Sequence, residues 1–219
     1  SPQEHLADLK FLFAMLRRNG MVINKAKCVF GASSVEFLGH TVSAEGIVPL
    51  PAKVDAIKHF PRPVEVQSLQ RYLGMMNFYH KFIPHAAETL QPLYTALKGN
   101  PPPKTIEWTD DRVNAFDKSK LALADATLLV HPVDGAPTRL HVDASNVAIG
   151  AVMEQLQGGL WRPLGFWSKA LHATGTHPET GWPAFDRELL AAHLAIRHFR
   201  YFLEGRSFQL FTDQNSLVP

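Results

Sequence analysis

Hydrophobic positions in this chain follow two different periods, and the switches between them mark its elements. Leu6, Leu9, Phe13 and Leu16 recur at helical spacing, and Gly20 stands where a glycine commonly closes a helix. MVINKAKCVF (21–30) and SSVEFLGHTVSAEGIV (33–48) are rich in β-branched and aromatic residues and are broken by Gly31, Gly39 and Gly46. They predict a strand followed by a hairpin. Helical stripes then return. Pro51 opens a short helix carrying Val54 and Ile57, which Pro61 and Pro63 end. A longer helix carries Leu69, Tyr72, Leu73 and Met76, and another from about Pro84 carries Leu90, Leu93, Tyr94 and Leu97. Each stripe is one-sided, so these helices need one another to bury it.

KGNPPPKT (98–105) is the strongest boundary, because a glycine and three prolines cannot continue a helix. Beyond it the pattern predicts a helix through Val113, Phe116 and Leu121 and a short strand at Leu128–Val130. Two strands follow in LHVDASNVAIGAVMEQ (140–155), with a turn at Ser145 and Asn146. Gly158-Gly159 leads into a third, LWRPLGFWS (160–168). AFDRELLAAHLAIRHFRYFLEG (184–205) is the clearest helix, with Phe185, Leu189, Ala192, Ile196, Phe199 and Leu203 as its apolar stripe and Gly205 as its stop. SFQLFTD (207–213) is a final strand. The order predicts an α/β chain: a small, mostly helical region with a β-hairpin, then a mixed-sheet α/β domain.

Composition narrows the class. Hydrophobic residues make up 46% and charged residues 19% of the 219, which describes a folded chain rather than a disordered one. No apolar run is long enough to span a membrane, and no basic-then-apolar leader precedes the first helix. The lone Cys28 excludes an internal disulfide and favours a reducing compartment or simple indifference to redox, and an intracellular, cytoplasmic setting is expected. Residues 1–107 hold 12 Lys+Arg against 8 Asp+Glu, whereas residues 108–219 hold 10 against 12. A basic first half beside an acidic second half suggests a polyanion-binding surface next to a site that gathers carboxylates.

Three acids stand at ends of predicted elements. Asp143 follows directly on the Leu140 and Val142 alternation, Glu188 lies in the first turns of the strong helix, and Asp213 ends the last strand. If the two strands are neighbours and the helix packs over them, the carboxylates converge, and such a cluster calls for a hard divalent cation. The pattern leaves alternatives open. Asp143 also reads as a turn residue bonding its own backbone, and Asp186 flanks the helix stripe as well as Glu188 does.

HVDASNVAIGAVMEQ, FDRELLAAHLAIRHFRYFLEG and FQLFTDQNSL, in this order, resemble the ribonuclease H domain of gypsy-type LTR retrotransposon Pol polyproteins. INKAKCVFGASSVEFLGHTVSAEGI, PAKVDAIKHFPRP and LQRYLGMMNFYHKFIPHAAETLQPLYTALK resemble the segment just upstream, so the likeness is collinear over essentially the whole chain. It implies the end of a reverse transcriptase palm with a primer-gripping hairpin in residues 1–50, thumb and connection helices with the Pro-rich linker in 51–107, and an incomplete ribonuclease H domain in 108–219. The implied activities are those of a ribonuclease H and an RNA-directed DNA polymerase. The implied partners are RNA–DNA hybrid, template–primer duplex and the remainder of a Pol polyprotein, with no membrane. Asp143, Glu188 and Asp213 match the family's catalytic acids, which hold Mg²⁺ with Mn²⁺ as a substitute. Phe37, Leu38, Gly39 and His40 match the primer-gripping hairpin, and the Leu69–Phe82 segment matches a thumb helix along the duplex. Lys58, Arg62, Arg71 and Lys81 are the expected phosphate contacts of the basic half. The resemblance places the polymerase aspartates before Ser1 and a fourth nuclease acid after Pro219, and Gln214 stands where many relatives have histidine. The alternative is a non-catalytic, element-derived remnant acting as a nucleic-acid or protein interaction module.

Overall fold

The computed structural model describes residues 1–99, 103–172 and 178–214; the centre of the expected Pro-rich boundary and the last five residues lie outside these. The chain divides into two compact units, Ser1–Val35 and Glu36–Pro219. In the first, α1 (Pro2–Arg18) starts at a capping box in which the Ser1 side chain accepts from the Glu4 backbone N–H and the Glu4 carboxylate reaches back to Ser1. Leu9, Phe13 and Leu16 are half-buried, and Phe13 meets Phe30 edge-on at 5.8 Å. The strand expected across 21–30 does not form. Asn24 Oδ1 accepts from the Ala26 N–H, and Lys25–Lys27 becomes a single 3₁₀ turn. This local side-chain bond competes with extended pairing.

β1 (Ser34–Phe37) spans the boundary at Val35, and in the second unit β2 (His40–Ser43) and β3 (Ile47–Pro49) pair antiparallel through Thr41↔Val48. The expected strand at 128–130 reduces to one bridge, Ile47↔Leu129. Gly46 permits that approach: at φ 144°, a Cβ there would lie 2.2 Å from the Leu129 carbonyl oxygen. Four helices follow, α2 (Pro51–Lys58), α3 (Val66–Phe78), α4 (Ala86–Thr95) and α5 (Asp110–Ala124). Leu69, Tyr72, Leu73 and Met76 of α3 are buried as their spacing predicts, against Ile57, Leu93 and Phe116. Leu121 is 61% exposed; the inward face of α5 is Ala115, Phe116, Ser119 and Leu123.

The last layer is a four-stranded sheet in the order β6-β5-β4-β7, with α6 on one face. Its strands are β4 (Thr138–Ala144), β5 (Ala148–Gln157), β6 (Leu160–Ala170) and β7 (Gln209–Phe211). β4 and β6 flank β5 antiparallel, and β7 runs parallel to β4. Gly158 and Gly159, both at positive φ, make the two-residue β5–β6 turn. The long helix is α6 (Ala184–His198), followed by a single turn, α7 (Arg200–Leu203). Its buried face differs from the expected stripe. Phe185, Leu189 and Ile196 are 37–49% exposed, whereas Glu188, Ala191, Ala192, Ala195 and Phe199 face the sheet. The alanines bring helix and sheet close, and the large side chains are displaced to the flank.

Candidate active site

β4 alternates, with Leu140 and Val142 in the core under α6 and Arg139, His141 and Asp143 directed to the other face. Asp143 pairs with Gly150 inside the ladder, so it is a strand residue. The turn lies beyond it, where the Ser145 hydroxyl accepts from the backbone N–H groups of Val147 and Ala148. This removes the reading of Asp143 as a turn residue. Asp213 reaches the same edge through the parallel pairing. Leu140 faces Leu210 and His141 faces Phe211, so the register carried forward brings position 213 opposite 143. Glu188 comes from above, on the second turn of α6, and is 3% exposed. One carboxylate oxygen from each of the three residues lies within 4.8 Å of the others. Asp186, the other helix acid, is exposed and is not among them.

Burial is the main cause that raises the Glu188 pKa above its ordinary value. A hydrogen bond from Thr212 Oγ1 at 2.7 Å opposes it, the charges of Asp213 and Asp143 reinforce it, and the Ala144 backbone N–H opposes it again. Among the described residues no lysine or arginine forms an ion pair with any of the three acids; the ion pairs lie elsewhere, as between Arg139 and Glu154. Three converging oxygen donors without a protein counter-charge fit a hard divalent cation.

Two supporting contacts lie outside the sequence expectations. Arg187 donates to Asn146 Oδ1 at 2.8 Å and to the Trp182 carbonyl, tying the start of α6 to the β4–β5 turn. Thr212 holds the Glu188 carboxylate. Both are chain neighbours of an acid, and adjacency was the only sequence signal for them.

The expected nucleic-acid residues occupy separate places. Phe37 and Leu38 stand exposed at the tip of the hairpin, where Leu38 (φ 46°) and Gly39 (φ 77°) form a left-handed pair. Tyr79 Oη donates to the Gly39 carbonyl at 3.0 Å. His40 turns inward among Phe78, Tyr79 and Phe82, and burial, with the Lys81 charge second, lowers its pKa. Lys58 ends α2, Arg62 lies in the following connection over the Trp108 ring, Arg71 is exposed on α3, and Lys81 lies in the turn after α3 over Phe82.

Residues 108–210 match the RNase H-like domain found in reverse transcriptase. The whole chain is 29% identical to the transposon Tf2-3 and Tf2-4 polyproteins of Schizosaccharomyces pombe, of whose length it spans 16%. In fold it is similar to the foamy viral protease–reverse transcriptase in complex with an RNA/DNA hybrid, with a TM-score of 0.77 and 21% identity, covering 97% of this chain and 28% of that one. It is also similar to the dRH form of that protein in complex with double-stranded DNA, with a TM-score of 0.78 and 23% identity, covering 97% and 36%. Among the described residues no helix is long and apolar enough to cross a membrane. The chain is thus similar along its whole length to retrotransposon polyproteins, of which it spans a small part, and its residues 108–210 match the RNase H-like domain found in reverse transcriptase.

Proposed function

We propose that the three-carboxylate edge hydrolyses the RNA strand of RNA–DNA hybrids. The observation that carries this reading is the convergence of Asp143, Glu188 and Asp213 from two parallel strands and one helix. Asp143 and Asp213 are exposed and present oxygens outward, while buried Glu188 anchors the set from the helix. Divalent metal, held by these acids as Mg²⁺ or Mn²⁺, would supply two-metal chemistry: activation of the attacking water and stabilisation of the leaving oxygen. Hybrid selectivity would come from A-like duplex shape and 2′-hydroxyl contacts rather than base reading.

The rest of the chain serves the same substrate on this reading. Residues 1–50 correspond to the end of a palm with its primer-gripping hairpin, 51–107 to thumb and connection, and 108–219 to the nuclease domain. Exposed Phe37 and Leu38 would touch the duplex, with Gly39 shaping the turn and His40 packing it against the thumb. Lys58, Arg62, Arg71 and Lys81 would contact phosphates, each steepening the salt dependence of affinity.

The test is thermal melting of wild type and Asp143→Asn across a Mn²⁺ titration, with hybrid cleavage measured alongside. Wild type should be stabilised by metal that binds only the folded state, and Asp143→Asn should lose that response. An equal metal response in both proteins would refute the site.

A further inference from the structure

α6 delivers Glu188 from an end without a side-chain cap, because Pro183 stands at its N-cap position and makes no side-chain bond there. That weakly supported first turn enters the chain where three acids converge. Like charges this close push apart, and in metal-free protein the push acts to lift the start of α6 off β4.

Arg187 works against it. Its guanidinium donates to the Trp182 carbonyl, on the chain entering the helix, and to Asn146 Oδ1 at 2.8 Å, in the turn after β4. The next residue, Glu188, accepts from the Ala144 backbone N–H. Two consecutive residues of α6 thus grip positions 144 and 146 of one strand end, directly after Asp143. Two points of attachment fix both the height of the helix over β4 and its roll, which a single bond leaves free. The turn makes a firm anchor. The Ser145 hydroxyl accepts from the Val147 and Ala148 N–H groups, and the Val147 carbonyl accepts from the Leu171 N–H at 2.8 Å.

Cohesion alone is a poor account of this arginine. Among the described residues its buried Nε finds no acceptor, and an unfilled buried donor lowers stability. Nor does the guanidinium form an ion pair with any of the three acids. Its planar fork is suited instead to bridging two acceptors in a set geometry.

We infer that Arg187 is a positioning residue: it holds Glu188 against Asp143 and Asp213 in the arrangement a cation needs, and so sets the metal affinity of the site. This role rests on the proposed function for the metal, and on the two Arg187 bonds for the place of Glu188. Charge alone predicts the opposite sign, since a cation beside a metal site repels the metal and its removal would tighten binding.

The test is calorimetric Mn²⁺ titration of the full 219-residue chain as wild type, Arg187→Met, Arg187→Lys and Asn146→Ala. All three variants should bind Mn²⁺ about tenfold more weakly. Arg187→Lys keeps the charge but offers one point of attachment in place of two. Asn146→Ala removes the acceptor from an exposed turn, and so keeps the test decisive should an Arg187 variant fail to fold. Combining Arg187→Met with Asn146→Ala should weaken binding no further than Arg187→Met does, because both remove the same bond. A second readout needs no metal: amide hydrogen exchange at Ala144 should quicken about tenfold in Arg187→Met and Asn146→Ala as Glu188 loosens. Unchanged or tighter Mn²⁺ binding in Asn146→Ala, full affinity in Arg187→Lys, or unaltered exchange at Ala144 would overturn the inference. Wild type that ignores Mn²⁺ while both variants quicken exchange keeps Arg187 as the residue that places Glu188 and refutes the hydrolytic reading. Wild type that binds Mn²⁺ no better than the variants refutes the role of Arg187 and leaves that reading standing.

Discussion

In the helical core, Tyr72 of α3 is fully buried and its hydroxyl meets Ser119 Oγ of α5 at 2.5 Å, with the Phe116 carbonyl at 3.5 Å. In the sheet core, Glu188 of α6 is almost as deeply buried and accepts from Thr212, but it faces Asp143 and Asp213. The two solutions differ in charge. A neutral hydroxyl satisfied by a neutral partner stays neutral, and burial pushes the Tyr72 pKa up to about 12. A buried carboxylate between two others has no neutral resting arrangement except a bound proton or a bound cation. The helical region is therefore built for cohesion, whereas one edge of the sheet holds electrostatic repulsion that a ligand can relieve.

Breaking the cohesive side should have the largest effect. Phe116 is 2% exposed and packs on Tyr72 at a ring separation of 4.6 Å. Phe116→Ala should lower unfolding free energy by about 3–5 kcal/mol in urea titration. The Mn²⁺-induced rise in melting temperature should survive wherever the variant remains folded. Breaking the repulsive side instead should strike chemistry: Asp213→Asn should reduce metal-dependent hybrid cleavage at least about hundredfold, with the apo protein still folded in circular dichroism.

Glu188→Gln sharpens the contrast because its effect has the opposite sign to that of a core mutation. The folded-state pKa of Glu188 is raised above its ordinary 4.5, mainly by burial, so protonation favours the fold. That contribution is fully present below the unfolded pKa and is lost as pH rises through the raised value. The melting-temperature advantage of Glu188→Gln over metal-free wild type should therefore grow with pH across this window. Saturating Mn²⁺ should reverse it. A flat difference across pH would mean that Glu188 carries no such load. The smallest effect belongs to Tyr72→Phe, which removes the hydroxyl and leaves Ser119 its bond to the Phe116 carbonyl at 2.8 Å. A loss of about 1 kcal/mol by chemical denaturation is expected.

The elements that periodicity located well are those whose burial is carried by large side chains. α3 shows this, since Leu69, Tyr72, Leu73 and Met76 are all buried as their spacing requires. α6 shows the opposite. Its large residues, Phe185, Leu189 and Ile196, sit on the flank, and three alanines with a glutamate form the inward face. A hydrophobicity pattern weights Phe and Leu above Ala, so it finds Ala192, Phe199 and Leu203, which are buried, but takes Phe185, Leu189 and Ile196 for inward residues and leaves Glu188 at its margin. The 21–30 segment failed for a related reason: β-branched residues describe a preference, and Asn24 supplied a local bond that no propensity sum registers.

What the sequence determined by itself was most of the order of elements, the switch from helical to alternating period, and Asp143 and Asp213 at strand ends, with Glu188 and Asp186 as alternatives at a helix start. These depend on neighbours within a few positions, which a linear pattern records. Tertiary structure alone decided that β7 runs parallel to β4, which brings Asp213 opposite Asp143. It likewise decided that α6 turns its alanine face to the sheet and lowers Glu188 between them. Those choices rest on contacts between residues up to 70 positions apart, where close packing of small side chains outweighs the local preference of large ones.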